Sequence, residues 1–483
     1  MKAEWILVVL LLFTACSYER TEDFDAAPYD DGFYDGEQYN DYGENPFLST
    51  TAFPVSTFSI DADGASYSNV RRFINDGWLP PNGAVRVEEM INYFSYDYPN
   101  PTGNDPISVT AEIANCPWSQ GHKLMQIRLK GKDVAFEDLP AANMVLLVDV
   151  SGSMSNDDKL PLLKESFKLL VDVLRPQDRV AVVTYSGNVS VVLDATAASE
   201  KELIKNAIDM LDSGGGTAGG AGIVMAYDIA AENFVEGGNN RIILATDGDF
   251  NLGLSTPEEL VELIKTKRDQ GIFLTAVGVG TGNYNDAMME QVADNGNGTY
   301  EYIDRIEEAE KVFVQDFGKL YTVAKDVKVQ MTFDSTLVDQ YRLIGYVNRL
   351  LNSDDFVDDT EDAGEIGAGQ TITAIYEIIP QSVSTKDSYP FTIDFRYKLP
   401  DSDNSVLLSL DAFDEDKLWN EASEDFRFAA SVAGFGMLLR NSAYMGTCSY
   451  DGVIDWVNNA QSYNPYGYKT DFVTVIEKAM IIE

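Results

Sequence analysis

The sequence predicts an α/β protein in which a mainly parallel sheet with helices on both faces is inserted in a β-sandwich formed by the flanking segments, with a small helical cap at the C-terminal end. Three observations predict it. Met144 to Val150, Arg179 to Tyr185, Arg241 to Ala245 and Ile272 to Val277 are short apolar runs without alternation, as strands buried on both faces are, and helical patterns such as KLPLLKESFKLLVDVL and STPEELVELIKTKRDQG lie between them. Outside this block the rhythm changes to period two: ISVTAEIA and KLMQIRL precede it, and KVQMTF, YRLIGY, TITAIYEI, FTIDFRYK and SVLLSL follow it. After Ser423, EDFRFAASVAGFGMLLRNSAY reads as one amphipathic helix, and WVNNA and TDFVTVIEKAMII suggest two more.

At the N-terminus Lys2 precedes an apolar run from Trp5 to Leu12, too short to span a membrane as a helix, which ends in Phe13-Thr14-Ala15-Cys16. This resembles a bacterial lipoprotein signal. The resemblance implies that residues 1–15 are a signal peptide and that Cys16 becomes the lipidated first residue of a protein of the cell envelope, held at the outer membrane and facing the periplasm or the outside. An uncleaved or ordinary secretory signal is the alternative. Residues 16–46 are rich in Asp, Glu, Tyr and Gly and show neither helical nor strand periodicity; such a composition buries too little apolar surface to offset chain entropy, so a disordered acidic tether is expected.

Residues 47–140 are expected to form an N-terminal segment of short helices and strands. SYSNVRRFINDGWLP places Val70, Phe73 and Ile74 on one helical face, with Ser66 or Ser68 able to cap it, and VRVEEMINYF suggests a second short helix. Residues 141–322 make the inserted α/β domain. Residues 323–483 make the C-terminal part of the sandwich and the helical region.

Across 483 residues, 35 basic against 78 acidic side chains leave a formal charge of −43. Nucleic acid and bare anionic lipid are poor partners for that balance, and no nucleic acid is expected, because both require clustered Lys and Arg to displace counterions. With Cys16 lipidated, Cys116 and Cys448 remain. Their spacing leaves open whether they pair in an oxidising compartment or stay as buried thiols.

The stretch LVDVSGSMSN carries three oxygen side chains, Asp149, Ser151 and Ser153, at every second position just beyond the first parallel strand. In such sheets ligands bind beyond the carboxyl ends of the strands. An all-oxygen set suits a hard divalent cation, not zinc or copper. Thr217 stands in SGGGTAGGAG and Asp247 in ATDGDFN directly after the strand RIILA, so each falls at a loop where the sheet would deliver it.

Together DVSGSM, GGGTAGG and LATDGDFN resemble the metal-ion-dependent adhesion site of von Willebrand factor type A domains, whose fold is Rossmann-like. FSIDADGASYSNVRRFINDGWLPPNGAVRVEEMINYFSYDYP, YRLIGYVNR, DDTEDAGEIGAG and DFRFAASVAGFGMLLR resemble bacterial envelope proteins that carry such a domain between an N-terminal segment and a C-terminal domain of unknown function. The resemblance implies that Ser151 and Ser153 bind the metal directly, Thr217 directly or through water, and Asp149 and Asp247 mainly through water or hydrogen bonds to the serines. It implies Mg²⁺, with Mn²⁺ or Ca²⁺ as alternatives. Few directly bound carboxylates leave the cation under-neutralised, and Mg²⁺ keeps exchangeable waters, so an Asp or Glu of a protein partner can complete its shell.

Four competing readings bear on these residues. Ser151 to Ser155 could merely cap the following helix. Gly214-x-Gly216-x-x-Gly219 formally matches a dinucleotide fingerprint, but that motif should follow a strand, whereas EKELIKNAIDML before it reads as a helix. The acidic run Asp354, Asp355, Asp358, Asp359, Glu361, Asp362 and Glu365 reads as a solvated loop, with a calcium site as the alternative. His122, the single histidine, lies far in sequence from the motif in an expected turn, so no Ser-His or Cys-His pairing is evident and no enzyme is expected.

The function expected is a lipid-anchored envelope protein that binds a protein partner's carboxylate through its metal, for adhesion or complex assembly. A structural module whose metal site is closed by its own chain is the second reading. A metal-dependent hydrolase using Asp249 beside the site is the third.

Overall fold

The computed structural model describes residues 36–60, 63–216, 219–248, 257–381 and 391–483. The central sheet has six strands in the order Tyr300–Ile303, Ile272–Val279, Asn239–Thr246, Ala142–Asp149, Arg179–Tyr185 and Val189–Ala197. Its pairings are parallel except the last, where Val189–Ala197 returns antiparallel along Arg179–Tyr185. Ala142–Asp149 lies at the centre, and its apolar run explains why. Met144, Leu146 and Val148 share one cluster with Leu163, Phe167 and Leu170 of the helix Leu160–Val173. Val145 and Leu147 point to the opposite face, which the helix Gly219–Glu232 covers, and all five are fully buried. Each such side chain stabilises by about 1.5–3 kcal/mol relative to exposure. A strand apolar at every position can only sit between two helical layers.

The flanking segments form the sandwich that the alternating runs predict. One antiparallel sheet runs Leu48–Ser49, Val338–Ile344, Thr371–Pro380, Lys123–Gly131 and Ile107–Asn115; the other runs Leu350–Leu351, Val55–Ser59, Thr322–Thr332, Phe391–Lys398 and Ser405–Ala412. Strands before the inserted domain pair with strands after it, Phe58 opposite Val329 and Ile127 opposite Ala374. The two inner faces share one core, to which Phe58, Ile127, Val329, Tyr376 and Phe395 all belong. Val55–Ser59 was not expected as a strand. It carries one large apolar side chain, Phe58, and gains its place by pairing with Thr322–Thr332.

The helical cap joins the helices Ala65–Asn75 and Val87–Asn92 to Glu424–Leu439, Tyr450–Asn458 and Tyr468–Ile482 around one core. Two expectations are corrected here. The helix Ala65–Asn75 starts at an N-cap Gly64 without a side-chain cap; Ser66 Oγ donates to the Ala84 carbonyl at 2.8 Å and accepts from the Arg86 N–H at 2.9 Å, while Ser68 bonds back to the Ala65 carbonyl at 3.2 Å. Glu424–Leu439 is buried on nearly every face, not amphipathic, because the other helices and the sandwich surround it.

A third correction concerns the tether. Residues 36–46 are docked on the body of the protein: Gln38 N–H donates to the Tyr284 carbonyl at 2.8 Å, Tyr39 is buried, and Arg440 Nη2 donates to Asp41 Oδ1 at 2.6 Å. Polar pairing, which a reading based on apolar content overlooks, orders this strap. Cys116 and Cys448 are buried free thiols. Among the described residues no helix is long and apolar enough to cross a membrane.

Candidate metal centre

Asp149 ends the central strand and Asp247 follows the end of its parallel neighbour, Val148 lying beside the strand Asn239–Thr246 through the pair Val148 and Ala245. Both carboxylates are fully buried. The Ser151 backbone N–H donates to Asp149 Oδ1 at 2.8 Å and the Thr246 hydroxyl donates to Asp149 Oδ2 at 2.9 Å. Ser151 Oγ lies 3.0 Å from Ser153 Oγ across the short 3₁₀ turn Gly152–Ser155. Four of the five predicted residues are therefore placed at one edge of the sheet, two carboxylates and two hydroxyls.

Thr217, the fifth, lies outside the described residues, as do Cys16 and Asp249. The loop leading to Thr217 is nevertheless fastened to the same place. Gly214 N–H donates to the Val150 carbonyl at 2.8 Å, and Gly152 N–H donates to the Gly215 carbonyl at 3.2 Å. Gly215 has φ +86°, a left-handed backbone that L side chains rarely adopt, so the glycine run is needed for this crossing.

Burial pushes the Asp149 carboxyl up to about 6 against the pull of its hydrogen bonds from Ser151, and the neighbouring Asp247 carboxylate adds to the rise. Two carboxylates buried this close favour a cation between or beside them. Lys159 meets part of that demand: its Nζ donates to Asp247 Oδ2 at 2.9 Å and to Asn283 Oδ1 at 2.9 Å, and its side chain is 3% exposed. The described donors fit a hard divalent ion, being oxygens only, with two neutral hydroxyls beside the two acids. Among the described residues no three His, Cys, Asp or Glu side chains converge as a metal cage.

The helix after the motif begins at Leu160 with Lys159 as N-cap and no side-chain cap, so Ser151 to Ser155 do not cap it. The element before Gly214 is the helix Lys201–Asp209, not a strand, which removes the dinucleotide reading. The acidic run is a loop from Asp354 to Asp362 that receives cations from the protein itself, Lys328 Nζ donating to the Asp355 and Asp358 carbonyls at 3.0 and 2.6 Å and Arg268 pairing with Asp362 at 2.5 Å, but Glu365 is corrected from loop to strand, in Gly364–Gly367, which pairs with Thr322–Thr332. His122 Nδ1 lies 2.6 Å from Glu377 Oε1, within the sandwich.

Thr246, Lys159 and Asn283 were missed by the sequence reading. Thr246 had a signal, adjoining Asp247 at a strand end. Lys159, in SNDDKL, reads as the exposed start of a helix, and nothing in the spacing links it to Asn283.

The chain is similar to several known proteins. A model of the von Willebrand factor type A domain matches residues 143–317, a von Willebrand factor model matches residues 34–126, and a model described as uncharacterized protein YfbK, C-terminal, matches residues 318–482. The YfbK protein of Escherichia coli (strain K12) is 41% identical over 469 residues, covering 92% of this chain and 81% of that protein. Inter-alpha-trypsin inhibitor heavy chain H3 of Bos taurus is 30% identical over 164 residues, which are 32% of this chain and 18% of that protein. Among solved structures, a von Willebrand factor type A protein from Catenulispora acidiphila aligns with a TM-score of 0.44 at 17% identity, over 78% of this chain and 91% of that one. Proximal thread matrix protein 1 of the mussel byssus, described with a zinc occupied MIDAS motif, aligns with a TM-score of 0.30 at 25% identity, over 37% of this chain and 45% of that one.

Proposed function

The chain belongs to the family of the Escherichia coli YfbK protein, with its von Willebrand factor type A domain and YfbK C-terminal domain, and from that premise we propose that it is an envelope lipoprotein whose metal site binds an acidic residue of a protein partner. The observation that carries this reading is the site's composition: two hydroxyls 3.0 Å apart beside two buried carboxylates at the carboxyl edge of a parallel sheet. Ser151 and Ser153 would hold the cation directly, Thr217 directly or through water, and Asp149 and Asp247 would act through water or hydrogen bonds. Mg²⁺ is the ion proposed. When bound, it supplies an electrophilic position with exchangeable water that a partner's Asp or Glu can take. The chain's contribution is to keep its own carboxylates few and fixed: Thr246 and the Ser151 N–H hold Asp149 in place, and Lys159 holds Asp247.

Cys16 is the proposed lipid attachment, in the outer membrane, facing the periplasm or the outside. Two or three acyl chains would anchor the protein stably, since each buried methylene contributes about 0.8 kcal/mol. The acidic segment that follows spaces the body from the bilayer.

The test is capture of envelope proteins on the purified protein, residues 47–483 and residues 36–483 in parallel, with Mg²⁺ or with a chelator. A protein retained with Mg²⁺ and released by chelation, and lost on Asp149→Ala or Thr217→Ala with the fold intact, supports the reading. Capture indifferent to the chelator, or equal capture by either variant, defeats it in favour of a site closed by its own chain. Metal-dependent turnover of a generic ester would instead revive the hydrolase reading.

A further inference from the structure

We propose that Lys159 is a built-in counter-charge of the metal site, one that weakens the resting grip on a divalent cation and leaves a bound cation more attractive to an incoming carboxylate. The inference rests on the reading of Asp149, Ser151, Ser153 and Asp247 as a metal centre and deepens it, by assigning a role to a residue outside the motif.

Lys159 is held, not stray. Its ammonium donates to Asp247 Oδ2 and Asn283 Oδ1, both at 2.9 Å, and its aliphatic stem lies against the backbone of Gly280. A Cβ built on Gly280 would overlap Lys159 Cγ and Cε, so the missing side chain leaves room for the lysine, and φ +75° is a backbone conformation that glycine adopts without strain. The Gly280 carbonyl is fixed in turn by the buried Tyr302 hydroxyl, which donates to it at 2.7 Å. Burying an ammonium is costly unless it is paired and hydrogen-bonded, and this one is both.

The charge count shows what the lysine changes. Among the described buried groups, Asp149, Asp247 and Lys159 sum to one negative charge. Lys159 raises by one unit the net charge that a bound divalent cation would leave at the site. Without the lysine the cation would be held more tightly, and the pull on an incoming carboxylate would fall. Asp158 stands at the same helix start but is partly exposed and lies near Thr281 at 3.5 Å, where water screens it. The geometry thus places a positive charge beside Asp247, the acid that would reach the metal mainly through water or hydrogen bonds, where the lysine would offset charge without taking a coordination position.

The experiment compares the full chain with its Lys159→Gln, Lys159→Arg and Asn283→Asp variants. Mn²⁺ is titrated as the metal probe, followed by the loss of its free-ion electron paramagnetic resonance signal. Acetate is then titrated as the carboxylate probe against the Mn²⁺-loaded protein, followed by water-proton relaxation. Removing one charge next to a divalent ion in a partly buried site should tighten Mn²⁺ binding by about tenfold and weaken acetate binding by about tenfold in Lys159→Gln. Lys159→Arg keeps the charge and should stay within about twofold on both constants. Asn283→Asp keeps the lysine but adds the opposite charge at its second acceptor, so it should move both constants in the same directions as Lys159→Gln, which covers the case in which that variant fails to fold.

A merely structural lysine gives a different pattern. Lys159→Gln and Asn283→Asp would then bind Mn²⁺ equally or more weakly, and the counter-charge role falls while the metal reading stands. A wild-type chain that binds no Mn²⁺ overturns both.

Discussion

Arg86 offers a quantitative test of how the inserted domain is locked to the rest of the protein. It precedes the helix Val87–Asn92 of the N-terminal segment and is 5% exposed. Its guanidinium pairs with Glu89, and its Nη1 reaches Asp286 Oδ2 at 2.5 Å, at the start of the inserted domain's helix Asp286–Asn295. Both acids are buried, at 0% and 1% side-chain exposure. Replacing Arg86 by Met fills much of the space but takes the guanidinium away from both carboxylates, of which Glu89 also accepts from the Ser66 N–H at 2.9 Å and Asp286 from the Tyr300 hydroxyl at 2.7 Å. Breaking a buried pair from one side costs about 3–5 kcal/mol, against roughly 0–1 kcal/mol for an exposed pair. The expected loss for Arg86→Met is therefore about 4 kcal/mol by urea unfolding in metal-free buffer, with more than about 1 kcal/mol recovered in Arg86→Met/Asp286→Asn because the orphaned charge is removed. A single-variant loss below about 1 kcal/mol would refute the reasoning, since it would mean that water reaches the site and that the pair does not hold the two parts together.

Glu112 predicts an acid limb in the stability curve. Burial pushes its carboxyl up, but hydrogen bonds from the Ser423 side chain and backbone and the Arg128 guanidinium more than offset this and hold it down at about 2, from 4.5. A depressed carboxylate stabilises above its unfolded value and loses that contribution as pH falls, so about 1–2 kcal/mol, after discounting for solvent screening, should disappear between pH 4.5 and about 2. Glu112→Gln should flatten that stretch, as read by urea midpoints across pH. Glu37 tests the strap: its Oε1 accepts from the Gly282 N–H at 3.0 Å and its Oε2 pairs with Arg72 at 2.8 Å. Glu37→Ala should cost about 1–3 kcal/mol and speed hydrogen exchange at Gly282 by about tenfold or more; unchanged exchange there would show that the strap does not order the loop.

The parallel sheet was legible because burial on both faces leaves a mark that needs no partner: Met144 to Val148 are apolar at every position, and the structure buries every one of them. The sandwich was legible where apolar and polar residues alternate, as in Ile107–Asn115, whereas Thr371–Pro380 is buried on both faces, Ile375 joining the core of the helical cap and Ile372, Ala374 and Tyr376 that of the sandwich. It was not legible in Val55–Ser59, whose partner residues lie about 270 positions away, Ser59 opposite Lys328. Nor could apolar periodicity show the docking of residues 36–46, which rests on hydrogen bonds such as those of Asn45 Nδ2 to the Leu343 and Gly345 carbonyls at 3.1 and 2.8 Å.

The site divides along the same line. Asp149, Ser151 and Ser153 fall within five residues and Asp247 follows a buried strand, so local pattern places them. Lys159 is adjacent in sequence yet invisible, because what makes it part of the site is a glycine and an asparagine at the end of another strand, Gly280 and Asn283, the latter 124 positions away. A motif can fix which oxygens surround a cation, but the charge left for a partner to neutralise depends on every buried ion nearby. Two proteins with the same motif oxygens and a different residue at position 159 should therefore differ in how strongly their metal attracts a carboxylate, and the lysine variants measure that difference within one chain.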